Sequence, residues 1–168
     1  MREALPLDEV LRLLSATPGR IEELTSDVPA ELPATRPATT EWSVNEILAH
    51  LRSCADVWGD CIALLLSQDH PTLRAINPRQ WIKRTDYPVQ AYQASLRAFT
   101  DQRDKLLPVV QRLTPEQWAR TATIRGAGSP LEKDLFSFAH RLALHERAHV
   151  GHIARTVQAV QAMQASRA

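Results

Sequence analysis

Three histidines near the end of the chain constrain its fold more than any other feature. His145, His149 and His152 are separated by four and three residues, a spacing that places them on one face of an α-helix. The same spacing continues on both sides through a mostly apolar set: Leu131, Leu135, Phe138, Leu142, Thr156, Ala159 and Met163. Such a stripe is typical of the core-facing side of a bundle helix. The fold must therefore accommodate imidazoles at positions where a bundle normally has leucines.

Imidazoles at core positions point to metal binding. A neutral imidazole in a core needs a hydrogen-bond partner, and a charged one is costly to bury. A shared metal ion would satisfy several imidazoles at once, and histidines four residues apart on one helical face suit a transition metal. The alternative for His145 and His149 is a pair of core histidines that hydrogen-bond to the backbone or to a carboxylate.

Two histidines compete to be the third ligand. His50 lies near the apolar face of an earlier helix, where a bundle would bring it opposite His145 and His149. His152 lies about 10 Å along the helix axis from His145, so we expect it to line the pocket and not to bind the ion. Three imidazoles with an open position form a catalytic kind of site. The remaining histidines are expected to face solvent: His70 and His140.

Three further side chains are candidates for the pocket. Cys54 follows His50 by one helical turn and is either a soft fourth ligand or a small core residue. Arg103 interrupts the apolar stripe of the third helix, where it could hold a substrate's anionic group or pair with a carboxylate. Glu146 gives residues 145–149 the His-Glu-x-x-His pattern of zinc proteases. We favour a bundle over a protease because the sequence shows neither a convincing strand nor the downstream Gly and His of the extended protease pattern.

Composition indicates a single domain over residues 1–168. The chain has 20 basic and 19 acidic residues, and the basic residues are scattered, so we expect neither nucleic acid nor a membrane surface as a partner. No secretory signal or membrane-spanning run is evident. Cys54 and Cys61 lie about 10 Å apart along one predicted helix, too far for a mutual disulfide. Two reduced thiols are typical of a cytoplasmic protein.

The first two predicted helices have recognisable boundaries. The first spans about residues 6–25, with a kink or short break expected at Pro18, which precedes a glycine. The second begins at a capping box formed by Ser43 and Glu46. It ends near Asp69, shortly before a proline.

The last two predicted helices also begin at local signals. Pro88 suits the first turn of the third helix, and Pro108 is expected to bend its end. Thr114 reads as the cap of one short helical turn. Ser129 and Glu132 form a second capping box, with proline at the first helical position, and are expected to start the long final helix.

Long connections separate these helices. Residues 26–41 are rich in proline, residues 70–87 form a second crossover in which Trp81 and Tyr87 could wall a pocket, and residues 120–128 contain two glycines and predict a flexible link. No strand pattern of useful length is evident. The sequence therefore predicts an all-α four-helix bundle with long crossover connections, not a simple up-down-up-down arrangement.

Two segments resemble motifs of the DinB/YfiT-like superfamily. Residues 41–51 resemble the opening of that family's second helix, which carries Trp-Ser, then Glu, then His-Leu. Residues 145–153 are similar to the family segment in which two histidines enclose an acidic residue. The resemblance implies a four-helix bundle that holds a divalent metal, often nickel or zinc, through three histidines, at positions that match His50, His145 and His149.

The resemblance also implies a class of reaction. Some relatives are thiol-dependent transferases or isomerases that use bacillithiol, mycothiol or glutathione. We therefore interpret the chain as a metal-dependent enzyme of the DinB type that acts on a small molecule, with Zn²⁺ or Ni²⁺ and a low-molecular-weight thiol as candidate cofactors. The alternative is a non-catalytic, stress-related bundle that binds metal or a small ligand. Under either interpretation the protein could form a homodimer. His152 departs from the family pattern, since relatives commonly carry Gln there.

Overall fold

The fold is a four-helix bundle with a small sheet at its side. The structure is a computed structural model and describes residues 5–166. Its helices are α1 (Leu7–Thr25), α2 (Val44–Ser67), α3 (Pro78–Trp81), α4 (Tyr92–Val110), α5 (Pro115–Trp118) and α6 (Leu135–Ala165). Its strands are β1 (Thr72–Arg74), β2 (Thr121–Arg125) and β3 (Leu131–Asp134). Short 3₁₀ turns occur at Leu32–Ala34, Ile82–Arg84 and Tyr87–Val89.

The four long helices form a ring in which each packs against two others. Helix α1 packs against α4 and α6, and α2 packs against the same two helices. The consecutive helices α1 and α2 are therefore diagonal in the bundle, which is why a long connection joins them. This arrangement confirms the predicted bundle with crossovers.

Two apolar clusters fill the bundle, and the histidines lie between them along the helices. One cluster contains Cys54 and Trp58 of α2 with Leu142 of α6. The other contains Leu48 of α2 and Ile153 of α6. On both helices the histidine positions fall between residues of the two clusters, so apolar packing above and below fixes how α2 faces α6.

Helix α2 begins as its sequence predicts. The Ser43 hydroxyl accepts a hydrogen bond from the backbone N–H of Glu46, and the Glu46 carboxylate accepts one from the backbone N–H of Ser43. This capping box satisfies two N–H groups that the helix start would otherwise leave free. It fixes the first turn of the helix that carries His50.

Helix α6 begins later than predicted, so the prediction that a capping box at Ser129 starts this helix is wrong. Asp134 caps the helix instead, because its carboxylate accepts the backbone N–H of Ser137 at 2.8 Å. The preceding residues form strand β3, and Leu131 is 52 % exposed. Leu131 therefore does not belong to the core-facing stripe. At the other end of the stripe Ala159 is also exposed, while Val157 and Val160 are buried.

The predicted flexible link at residues 120–128 and the expected absence of strands are also wrong. Strand β2 pairs in parallel with β1 and antiparallel with β3, in the order β1-β2-β3. Gly126 and Gly128, with φ of 93° and 97°, lie in the turn between β2 and β3, a conformation that glycine adopts without strain. Buried Leu73 and Ala122 attach the sheet to the core.

Three helix boundaries differ in smaller ways. Helix α1 continues through Pro18 without a break, and the adjacent Thr17 hydroxyl bonds to the carbonyl of Leu13 at 2.8 Å. Helix α2 ends at Ser67, two residues before the predicted end. Helix α4 starts at Tyr92 because Pro88 belongs to a separate 3₁₀ turn.

Among residues 5–166, no helix is long and apolar enough to cross a membrane.

Candidate metal centre

Three histidines from two helices meet inside the bundle. His50 comes from α2, and His145 and His149 come from α6; one ring nitrogen of each lies within 4.8 Å of the others. The Nε2 atoms of His50 and His145 are 3.0 Å apart. The ring centroids of His145 and His149 are 4.5 Å apart, and each lies 5.1 Å from that of His50. The structure therefore brings together the three residues proposed from the sequence.

Aromatic side chains enclose the three imidazoles. The Trp42 ring packs edge-on against His50 at 5.3 Å and stacks on His149 at 6.4 Å between centroids. Trp58 packs edge-on against His145 at 5.2 Å. These indoles shield the imidazoles from water, and His50 is only 5 % exposed. The histidine orientations are thus fixed by packing as well as by helix position.

The electrostatics favour neutral imidazoles. Burial, followed by the charges of His145 and Arg79, lowers the pKa of His50 to about 4. Burial and the neighbouring imidazoles lower the pKa of His149 to about 3. The pKa of His145 is also lowered, by burial and then by Arg141 and Arg79. A neutral imidazole is the form that binds a metal ion, so near neutral pH all three rings are in the ligand form.

The donor set fits a divalent transition metal. Without an ion, the Nε2 atoms of His50 and His145 face each other, and one of them must donate its hydrogen. The Nδ1 atoms of His50 and His149 are buried with no hydrogen-bond partner among the described residues. Buried polar atoms without partners are costly. Three neutral nitrogens that converge in this way suit zinc or nickel, and the ligand types do not distinguish the two ions.

Cys54 and His152 lie at the edge of the centre. The Cys54 sulfur is 3.6 Å from Nε2 of His50, but burial, with a contribution from Glu146, raises the pKa of its thiol to about 12. It therefore remains a protonated core thiol, one of two free cysteines. His152 does not converge with the other three; its ring centroid is 5.8 Å from that of His149, and it lines an adjacent cavity.

Arg103 takes the second of the two roles considered for it. Its guanidinium forms a buried ion pair with Glu146, with side-chain exposures of 2 % and 0 %. Burial raises the pKa of Glu146 to about 7, although Arg103 and the Thr17 hydroxyl act to lower it. Because this carboxylate faces Arg103 in the core, it does not serve as the general base of a zinc protease.

The remaining two histidines differ in their surroundings. His70 is exposed and pairs with Glu132 at 2.9 Å. His140 does not face solvent as expected: its Nε2 accepts the backbone N–H of Leu5 at 3.1 Å, and its ring packs against Phe136 at 5.6 Å. It therefore joins the start of the described chain to α6.

A cavity of about 590 Å³ opens beside the centre. It is lined by both long crossovers and by α6, through Pro37, Thr40, Glu41, Trp42, Arg79, His149, His152, Arg155, Thr156 and Ala159. A smaller cavity of about 210 Å³ reaches His50 and shares Trp42 and Arg79 with the larger one. His149 is thus accessible on one side of the Trp42–Arg79 pair and His50 on the other. In this pair the guanidinium carbon lies 5.5 Å from the indole centroid.

The two aromatic residues expected to wall the pocket take another role. The Trp81 indole N–H and the Tyr87 hydroxyl both donate to Asp56 Oδ2, at 3.0 and 2.8 Å. They fasten the second crossover to α2 and line neither cavity at the histidines. Sequence reasoning missed Arg79 and Arg155 as lining residues. Only Arg155 carried a signal, since it follows His152 by three residues on the same helix.

Comparisons with known proteins agree with this architecture. A family model described as the DinB superfamily matches residues 13–153. A search of curated protein sequences found no match. The fold resembles YfiT from Bacillus subtilis, described as a probable metal-dependent hydrolase with an unusual four-helix bundle topology, at a TM-score of 0.77 and 17 % identity, covering 94 % of this chain and 91 % of that one.

A second solved structure shares the fold over part of its length. It is a mycothiol-dependent maleylpyruvate isomerase, with a TM-score of 0.62 and 15 % identity. The match covers 91 % of this chain and 61 % of the isomerase. At these identities the two likenesses establish the fold and leave the reaction open.

Proposed function

The chain belongs to the DinB superfamily, and from this premise we propose that it is a metal-dependent enzyme with a three-histidine centre. The observation that carries the proposal is the convergence of His50, His145 and His149 within 4.8 Å beside a cavity of about 590 Å³. Both parts are needed, because a centre closed by protein atoms would serve structure and an open one allows catalysis. We further propose that the chain acts in the cytoplasm, alone or as a homodimer.

The protein's own residues would hold, orient and shield the centre. His50, His145 and His149 supply neutral nitrogens, and Trp42 and Trp58 cover part of the His50 and His145 rings. The larger cavity reaches His149, so a small molecule there would approach the centre from that side. A bound Zn²⁺ or Ni²⁺ would lower the pKa of a thiol or water and so supply a nucleophile at neutral pH.

We propose thiol-dependent group transfer or isomerisation as the reaction class. One solved structure with this fold is a mycothiol-dependent isomerase, and the cavity beside His149 has room for a substrate. The protein's own Cys54 is unsuited to be the nucleophile, because burial holds its thiol protonated. A thiol from outside the protein avoids this restriction. Metal-dependent hydrolysis, the activity in the description of YfiT, would use water in the same position.

Metal analysis of protein purified without an affinity tag is the first test. We expect about one equivalent of Zn²⁺ or Ni²⁺ per chain, lost in His50→Ala and in His149→Ala. His70→Ala is the matched control, because it removes an exposed histidine by the same substitution. Metal-free wild-type protein that takes up neither ion, or histidine variants that retain it, would refute the centre.

Turnover is the second test. Metal-loaded protein is incubated with mycothiol, bacillithiol or glutathione and an electrophilic acceptor, and also without thiol. Loss of free thiol reports group transfer, and conversion of the acceptor without loss of thiol reports isomerisation or hydrolysis. Turnover that disappears in His149→Ala and persists in His70→Ala supports the enzyme. Metal binding without turnover by any thiol or by water, together with a coordination sphere closed by protein atoms, would favour the non-catalytic binding protein.

A further inference from the structure

Two guanidinium groups line the cavity next to the histidines. Arg79 comes from α3 in the second crossover, and Arg155 comes from α6, three residues after His152. Both residues are exposed. Within residues 5–166 neither side chain forms a salt bridge or donates a hydrogen bond to another side chain. Both cations therefore remain available to a ligand.

The surroundings of these arginines are predominantly positive. Arg79 lines both cavities that reach the histidines, so its charge lies beside His50 and His149. Arg155 lines the larger cavity together with His152. Glu41 is the one acidic residue among those that line the larger cavity. A cation held by the histidines would make the cavity more positive still.

We propose that this cavity binds a small molecule through an acidic group, a carboxylate or a phosphate, recognised by Arg79 and Arg155. The planar guanidinium matches both groups because it can donate two parallel hydrogen bonds. The cavity volume of about 590 Å³ exceeds that of one acidic group, which leaves space for the rest of the molecule toward His149. That the bound anion is a substrate rests on the proposed function, whereas anion binding itself does not.

The acidic group also explains how a substrate would be oriented. On α6, Arg155 follows His152 by three residues, and His152 follows His149 by three residues, so the three side chains succeed one another along the helix toward the metal centre. Arg79 stacks over Trp42, which itself packs against His50 and His149. An anion bound by the arginines would therefore place its attached atoms against the indole and the imidazoles.

The test compares a dicarboxylate with its uncharged counterpart. Succinate, succinamide and inorganic phosphate are titrated by calorimetry into metal-loaded and metal-free protein, and metal content is measured on the same samples. We expect succinate or phosphate to bind and succinamide not to bind. Arg79→Gln and Arg155→Gln should each weaken anion binding by about tenfold and leave the metal content unchanged. The lysine variants Arg79→Lys and Arg155→Lys should keep part of the affinity because they keep the charge.

Arg112→Gln is the matched control, because it makes the same change at an exposed arginine that does not line the cavity. Preference for phosphate over succinate would assign the acidic group as phosphate. The proposal is overturned if neither anion binds at millimolar concentration, if Arg112→Gln weakens binding as much as the cavity variants, or if the double Arg79→Gln/Arg155→Gln variant binds like wild type. If the histidine variants lose the metal but still bind the anion, the anion site is independent of the metal centre.

Discussion

At the scale of single residues, the low pKa values of the centre make stability depend on pH. In the unfolded chain the histidines titrate near the ordinary value of 6.5, whereas the folded values for His50 and His149 are about 4 and about 3. Between these values the unfolded state binds more protons than the folded state. The contribution of these two histidines to the free energy of unfolding of metal-free protein should therefore be constant above about pH 7 and fall as the pH decreases toward about 4. Urea unfolding across this range measures it.

The control for this pH dependence removes the titrating groups. A His50→Asn/His149→Asn variant should show a flatter dependence between about pH 7 and about pH 4, because two of the shifted groups are absent. An equally steep slope in the double variant would mean that other groups cause the acid sensitivity.

The sequence predicts the histidines of the site but not the arginines of its cavity. His145 and His149 are recognisable because imidazoles replace apolar residues in a periodic stripe, and His50 because it lies beside such a stripe. Arg79 lies in a crossover without periodicity, so its approach to Trp42 depends on how the connection folds. Arg103 was recognisable as misplaced in an apolar stripe, but its partner Glu146 lies on α6, diagonally across the bundle from α4, so the pairing depends on how all four helices assemble.

At the scale of elements, that ion pair joins α4 to α6 in the core. Glu146→Leu should destabilise the protein by about 3 to 5 kcal/mol, because it leaves the Arg103 charge buried without its partner. The double variant Arg103→Met/Glu146→Leu should recover most of the loss, since no charge remains to be desolvated. Denaturant unfolding of the metal-free variants measures both. A double variant as unstable as the single one would show that packing, not the unpaired charge, causes the loss.

The second crossover is fastened to α2 through Asp56. This carboxylate accepts hydrogen bonds from Trp81, Tyr87 and Gln102. Asp56→Ala should therefore loosen residues 77–90, which faster hydrogen exchange in that segment would reveal, and weaken binding of the anion by displacing Arg79. Asp60→Ala, one turn later on an exposed part of the same helix, is the control. Unchanged exchange in Asp56→Ala would mean that other contacts hold the crossover.

The sheet shows where prediction from sequence ends at this scale. The long helices have a sustained apolar period, and all four were predicted. Strand β1 has only three residues, and it pairs with β2 across the whole of α4. Strand β3 is mostly exposed and carries no apolar alternation. These strands form because the folded chain brings them together, and the sequence signal for them is confined to the glycines of the β2–β3 turn.

At the scale of the whole molecule, the metal centre joins two helices that are in contact but far apart in the sequence. Helices α2 and α6 are separated by the second crossover, α4 and the sheet, yet His50 on α2 meets His145 and His149 on α6. Besides packing against each other, α2 packs against α4 and α6 packs against α1. An ion that binds all three imidazoles would therefore stabilise the entire bundle and not a single segment.

Metal binding should consequently raise the melting temperature of the whole protein. An ion present at about 100 times its dissociation constant stabilises the folded state by about 2.7 kcal/mol, which corresponds to an increase of about 5 to 11 °C for a domain of this size. Differential scanning calorimetry of metal-free protein with added Zn²⁺ or Ni²⁺ measures the increase. His70→Ala should respond like wild type, and His50→Ala should respond to neither ion, because His145 and His149 alone do not bridge α2 and α6. An equal increase in His50→Ala would locate the stabilising ion elsewhere on the protein.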